Sequence, residues 1–405
     1  MNIAKSNSRV HLPVPPPEWR TKLEARARRR KRALTKTAAM LFVLGTGAFA
    51  YWMLSLPDTP EVTPPPLISQ HETDAVISAL KPKRVHPVIA VIGLNEGTET
   101  TDYLLPYGIL KRANVAEVFA LATRPGRMQL DPALTVEPDA TTADFDLKYP
   151  DGADYVIVPA MTQSDAPVVL DWLRAQSKKG ATVVGICAGA TIVANAGLLD
   201  GKRATTHWYF LKDMLEKHPS IQYVRDRRFV VHEGVMTTTG ITASMPMSLT
   251  LIEAIAGREK AIAVAGELGL THWDAWHASG LYAFTRPFAW KVLTNKAAFW
   301  KQETLGLELK AGVDEVSVAL VADALSRTYR SRVETYAAES AALVTKSGLK
   351  IVPDSARKGW ESGTQLEPIW DRPPPLALEG AMAEVGKRYG KKTRAIVATQ
   401  LEMPN

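Results

Sequence analysis

The chain of 405 residues contains one cysteine, Cys187. It closes the apolar run Ala181-Thr182-Val183-Val184-Gly185-Ile186, is flanked by Gly185 and Gly189, and leads into Ala190-Thr191-Ile192-Val193-Ala194, which reads as a helix. Strand, tight turn and helix in that order make a nucleophile elbow. Glycines on both sides let the backbone turn without a Cβ clash, leaving the thiol exposed at the apex. A sulfur there feels the positive end of the helix dipole, which favours thiolate over a free-thiol pKa of ~8.5. The chemistry this permits is attack on an electrophilic carbon. A lone cysteine can also be buried and inert, but the glycine spacing argues for the reactive reading. A single thiol excludes an intrachain disulfide framework and a Cys-rich zinc site.

The elements around it must deliver that sulfur to a sheet edge. Val88-Ile89-Ala90-Val91-Ile92-Gly93 is a continuous apolar run of the kind buried on both faces. From Thr98 to Ala113, Tyr103, Leu104, Tyr107, Leu110 and Ala113 recur at helical intervals. Strands follow at Val115–Ala122 and Tyr155–Pro159, with an amphipathic helix at Pro167–Lys179 before the strand that ends at the cysteine. Alternating buried strands and helices predict an α/β fold with a mostly parallel, flavodoxin-like sheet sandwiched by helices. Reactive groups in such sheets lie beyond the carboxyl ends of the strands.

Three segments carry a resemblance: Gly185–Ala190, Ala196–Trp208 (AGLLDGKRATTHW) and Met236–Ala243 (MTTTGITA). Together they make residues 88–257 resemble the ThiJ/PfpI superfamily of class I glutamine amidotransferase-like domains, including those found in transcription regulators. The resemblance implies an acid on the first helix against the cysteine, and its register places Asp102 there, with Glu99 one turn earlier as the fallback. An apolar pocket would raise that acid's pKa and let it give or take a proton near neutrality. His207 corresponds to the histidine near the family's cysteine and could pair with Cys187. The oxyanion donors implied are the amides of Ala188 and of Ala160 or Met161. Here Pro159-Ala160-Met161 replaces the usual Pro-Gly-Gly turn, which narrows the backbone conformations open to it. His218, His232, His272 and His277 read as surface or core histidines.

The N-terminus predicts the topology. Residues 1–36 carry eleven Lys/Arg against two Glu, which leaves 38 basic and 40 acidic side chains in the rest. The overall charge of +7 is therefore a property of the tail, and no nucleic-acid partner is expected of the body. Residues 37–56 (TAAMLFVLGTGAFAYWMLSL) are uncharged, and twenty residues at about 1.5 Å rise match a hydrocarbon core of roughly 30 Å. Preceding positive charge keeps the tail cytoplasmic and exports the remainder of the chain. The expectation is a single-pass signal anchor in the inner membrane, in contact with anionic lipid. A cleaved signal peptide, suggested by Ala48-Phe49-Ala50, is the alternative, though the apolar run exceeds the usual h-region of about 7–15 residues. Residues 57–87, with seven prolines, read as a stiff spacer.

The last third contains a repeat. Residues 97–139 align with 312–354 at a constant offset of 215, with identities at Gly97/Gly312, Leu105/Leu320, Leu110/Leu325, Arg112/Arg327, Val118/Val333, Ala122/Ala337, Leu134/Leu349, Pro138/Pro353 and Asp139/Asp354. Residues 304–405 are therefore expected to be a degenerate partial second copy, with a helix at 376–390, a final strand at Thr393–Thr399, no cysteine, and Ser317 in place of Asp102. It would pack as an intramolecular pseudo-dimer, or the chain would form a homodimer. Residues 258–303 would be a helical connector, with Trp273, Trp276, Trp290 and Trp300 as core anchors.

The resemblance implies a cofactor-independent hydratase, hydrolase or glyoxalase-like lyase acting on a small electrophile such as an isocyanide or a 2-oxoaldehyde. Its alternative is a non-catalytic small-molecule or redox sensor. No phosphate loop and no clustered metal ligands are visible in the sequence, so neither metal nor organic cofactor is expected.

Overall fold

The computed structural model describes residues 17–59, 63–369 and 372–403. The first sixteen residues of the basic tail, residues 60–62 of the proline-rich segment and residues 370–371 lie outside the described residues. The chain divides between Pro57 and Asp58 into two units.

The first unit is one helix, α1 (Pro17–Ser55). The basic segment and the apolar stretch are continuous within it, and Thr21–Ser55 is long and apolar enough to cross a membrane.

The second unit is built on a seven-stranded sheet. In chain order its strands are β1 (Val88–Gly93), β2 (Glu117–Ala122), β3 (Ala140–Thr141), β4 (Tyr155–Val158), β5 (Thr182–Gly185), β6 (Phe229–His232) and β7 (Val235–Thr238). Their spatial order is β6-β7-β5-β4-β1-β2-β3, parallel except at the β6–β7 hairpin. All of β1, β4 and β7 is buried, which explains their unbroken apolar runs, because both faces are covered by helices. One face packs against α2 (Pro167–Lys178), α3 (Gly189–Asn195) and α4 (Trp208–Lys217). The other packs against α5 (Thr100–Ala113), α6 (Ser244–Ala256), α7 (Arg258–Leu268) and the C-terminal third.

The proline-rich segment is not a free-standing spacer. Helix Gln70–Ala79 lays Val76 against the core, Leu80 is fully buried, and Glu72 pairs with Arg227 at 2.5 Å. The buried Asp154 carboxylate accepts the backbone amides of Lys83 (2.9 Å) and Val88 (2.8 Å), fastening the segment to the edge of β1. Its apolar residues found a hydrophobic partner, which proline counting cannot show.

The C-terminal third shares the core of residues 88–257. It comprises strand Glu303–Glu308, helix α8 (Glu315–Ser326), strand Ser331–Ala337 and the short strand Ser355–Ala356, followed by helices Pro374–Tyr389 and α9 (Lys391–Leu401). The strand expected at Thr393–Thr399 is thus a helix. Thr393, Ile396, Val397 and Leu401 are buried, and their spacing of three and four fits one helical face rather than strand alternation. Among the connector tryptophans, Trp273 is buried and Trp276 partly so, but Trp290 and Trp300 are exposed and anchor no core.

Candidate active site

Cys187 follows β5 as expected, but the turn works differently. The cysteine itself takes the left-handed backbone conformation, with φ of +55°, while Gly185 and Gly189 do not. The glycines serve close approach instead. A Cβ on Gly189 would lie 2.0 Å from the Val158 carbonyl oxygen, and one on Gly185 would lie 2.8 Å from Ala190 Cα. The strained cysteine conformation is held by two threonines: its N–H donates to Thr238 Oγ1 (3.2 Å) and its carbonyl accepts from Thr206 Oγ1 (2.9 Å).

The acid lies on the first turn of α5. Glu99 caps this helix, its carboxylate accepting the Asp102 N–H at 2.6 Å and the Thr101 hydroxyl at 2.8 Å. Asp102 is fully buried. Its Oδ2 accepts the Ala160 N–H at 3.1 Å, whereas Oδ1 has no hydrogen-bond partner among the described residues. This corrects the expectation for Ala160, whose amide already serves the acid. The amides of Ala188 and Met161 donate to no group among the described residues, so they remain the pair able to face a developing anion.

Burial sets the proton chemistry. It raises Asp102 well above the usual carboxylate range, helped by the charge of Glu99. Glu99 is pushed up to about 7 by burial and by Asp323, against the pull of Arg327. The Cys187 thiol is likewise raised well above its ordinary value, first by burial and then by Asp102 and Glu99. The expected resting thiolate therefore gives way to a resting thiol.

His207 is buried, but it does not pair with the sulfur. Its Nδ1 accepts the Tyr209 N–H (3.2 Å), and its Nε2 donates to the Gln400 carbonyl (2.9 Å). Both ring nitrogens are taken, and burial lowers its pKa, keeping it neutral.

Sequence reasoning missed what the C-terminal third contributes. Glu402 is buried; its Oε1 accepts the Trp208 N–H (3.0 Å), and its Oε2 lies 3.0 Å from Nε2 of the buried His277. Arg327 donates to Glu99 at 2.7 Å. Nothing local in the sequence marks Glu402, whereas Arg327 stood among the repeat's identities. An open cavity of about 320 Å³ is lined by Thr206, whose hydroxyl reaches the Cys187 carbonyl, and by Thr239, Arg225, His277, Tyr282 and Glu402. Among the described residues, no three His, Cys, Asp or Glu side chains are grouped as metal ligands.

Glu402 supplies a pH test. Burial alone would raise its pKa, but the His277 contact, the proximity of His207 and the Trp208 amide hold it at about 2. A carboxyl depressed on folding stabilises above its unfolded pKa of about 4.3, and that stability is lost as pH falls toward 2. Wild type is expected to lose roughly 3 kcal/mol more than Glu402→Gln between pH 5 and pH 2. Thermal melts across that range check this, and parallel curves would remove the pairing from the account.

Residues 88–254 match the DJ-1/PfpI family. The chain is 36% identical over 104 residues to the HTH-type transcriptional regulator CdhR of Pseudomonas aeruginosa, covering 26% of this chain and 31% of the regulator. It is 37% identical over 135 residues to isonitrile hydratase of Pseudomonas putida, covering 33% of this chain and 54% of the hydratase. The chain thus spans about a third to a half of these relatives' lengths. The crystal structure of Drosophila melanogaster DJ-1beta superposes with a TM-score of 0.42 at 25% identity, over 46% of this chain and all of that one.

Proposed function

We propose that this chain, which carries a DJ-1/PfpI domain over residues 88–254, is a membrane-tethered, cysteine-dependent hydratase or hydrolase acting on a small electrophilic carbon. The observation that carries the reading is Asp102 Oδ1, an unpartnered carboxyl oxygen in full burial. A group so placed, with its pKa raised, can both deliver and recover a proton.

With an isocyanide, Asp102 gives its proton to the terminal carbon as Cys187 Sγ bonds to that carbon, and the carboxylate takes up the thiol proton. A thioimidate results. Water then adds to the same carbon, the C–S bond breaks, the sulfur recovers its proton, and the product is the N-formamide. With a 2-oxoaldehyde, sulfur addition to the aldehyde carbon gives a hemithioacetal. A proton shift makes it a thioester, which water cleaves to the 2-hydroxy acid. The amides of Ala188 and Met161 support the oxygen or nitrogen that gains charge. Relationship to isonitrile hydratase favours the first substrate class.

In this reading α1 is a single-pass inner-membrane anchor with a cytoplasmic N-terminus, and the second unit lies on the far side. The slightly acidic body and the absence of a basic patch in its sequence favour a small-molecule partner over nucleic acid.

A second reading, a redox or small-molecule sensor, draws on the 6% exposure of Cys187 and on the regulator relatives. Purified full-length protein separates the two when offered an aryl isocyanide and methylglyoxal. Formamide or 2-hydroxy acid that disappears in Cys187→Ser supports the enzyme. A stable sulfinate without turnover supports the sensor, and neither result leaves only a structural role.

A further inference from the structure

The sequence offset of 215 reappears as geometry. Helix Thr100–Ala113 corresponds to Glu315–Ser326, each N-capped by an acid at the equivalent position, Glu99 and Asp314. The strand pairs Leu121↔Ala140 and Ala122↔Thr141 become Tyr336↔Ser355 and Ala337↔Ala356. Asp139 Oδ2 accepts the Ala120 N–H at 2.8 Å, and Asp354 Oδ2 accepts the Thr335 N–H at 2.7 Å.

The contacts between the halves are reciprocal. Val136 pairs with Ile351, its own equivalent, in an antiparallel ladder flanked by Glu137↔Lys350 and Thr135↔Val352. The helices α5 and α8 pack together, Arg112 reaches Asp314 at 2.7 Å, and Arg327 reaches Glu99 at 2.7 Å. Arg112 and Arg327 are equivalents, as are Glu99 and Asp314. One two-fold operation exchanges the two ion pairs, and antiparallel pairing of equivalent residues is what such symmetry requires.

We propose that residues 304–405 are a second, cysteine-free copy folded onto the first about an internal two-fold, and that its Arg327 is a positioning residue for the single Cys187 site. This rests in part on the cysteine-dependent reading of that site. The two ion pairs are alike in form but unlike in consequence. Arg112 serves a half in which Ser317 replaces the acid and donates to the Arg372 carbonyl. Arg327 serves the half that has the sulfur. It is anchored by Asp323 on its own helix (2.7 Å) and turns its other nitrogen to Glu99, the residue that caps Asp102. The charged and titratable groups facing Cys187 are Asp102 and Glu99 from α5, Arg327 from α8, and Glu402 after α9. Asp323 also faces Glu99, and His207 faces Glu402. Arg327 acts on the sulfur in the sense opposite to these three acids.

The test is the rate of Cys187 alkylation by iodoacetamide from pH 6 to 10, with thermal midpoints, on full-length protein in detergent. Arg327→Met is expected to alkylate at least tenfold more slowly at pH 8, with its profile displaced to higher pH. Arg112→Met, which breaks the symmetric pair, should lower the thermal midpoint while its profile overlays that of wild type. Arg327→Met combined with Glu99→Gln removes both charges and should recover most of the lost rate. Equal displacement by the two arginine variants, or displacement by neither, overturns the proposal. Should Arg327→Met not fold, Arg327→Lys decides: a two- to fivefold slower rate with an upward shift supports the proposal, and an unmoved profile ends it. Alkylation needs no substrate, so a chain that turns over nothing would defeat the enzymatic reading and leave this one standing.

Discussion

Asp102→Asn is expected to slow turnover by roughly 10²–10⁴-fold, the usual range for general acid–base catalysis, while making Cys187 alkylate faster at alkaline pH, where the wild-type carboxyl is ionised. The two effects separate because the carboxyl has two influences on the sulfur. As a proton carrier it is needed at both ends of the reaction, and an amide cannot replace it. Once ionised it is, after burial itself, the largest cause of the raised Cys187 pKa. Asparagine keeps the volume and can still accept the Ala160 N–H that now reaches Oδ2 at 3.1 Å. The measurements are kcat with the aryl isocyanide and second-order alkylation rates across pH. If both rates fall together, Asp102 activates the thiol instead of handling the substrate's proton, and the proposed mechanism is wrong.

Gly189→Ala is expected to cost more than about 4 kcal/mol, in the range kept for severe backbone or packing conflicts. The added carbon would meet the Val158 carbonyl oxygen at 2.0 Å and the Pro159 carbonyl carbon at 3.0 Å. Both are backbone atoms of the strand end that forms the site, and no rotamer relieves them. Gly266→Ala is the control: it lies inside α7 with nothing within 4 Å of its Cβ, so alanine there should stabilise by about 0.5–1 kcal/mol. Chemical denaturation of the two variants checks this. A wild-type midpoint for Gly189→Ala would mean that the elbow packs otherwise.

The parallel sheet and the elbow are legible in the sequence because each rests on short-range pattern, whereas the acid at 102 comes from the register of the family resemblance. Continuous apolar runs mark doubly covered strands, and glycines at −2 and +2 mark a crowded turn. What those glycines do is not legible. Their residue type suggests that they bend the chain, yet Cys187 bends it, since a close approach to Val158 depends on a strand thirty residues away. The protonation state of the sulfur escapes the sequence for a related reason: a helix dipole can be read there, but the joint burial of Glu99 and Asp102 cannot. His207 stands out by its place in a motif, but its nitrogens are claimed by Tyr209 and Gln400, the latter 193 positions later. The segment 393–399 shows the opposite case. Its helical spacing is present in the sequence, and the expectation of symmetry with the first half overrides it.

The lock on His207 and Trp208 has a consequence for how the protein matures. Thr399 accepts the Trp208 indole N–H (2.9 Å), Gln400 takes the His207 ring, and Glu402 takes the Trp208 amide. These contacts join positions about 190 residues apart, so they must form late during synthesis and carry the slow closure typical of distant pairing. A nascent chain that has emerged only through the elbow would hold the cysteine before these contacts form. The surroundings of His207 and Trp208 are thereby completed only after residues 399–402 have been synthesised and folded back.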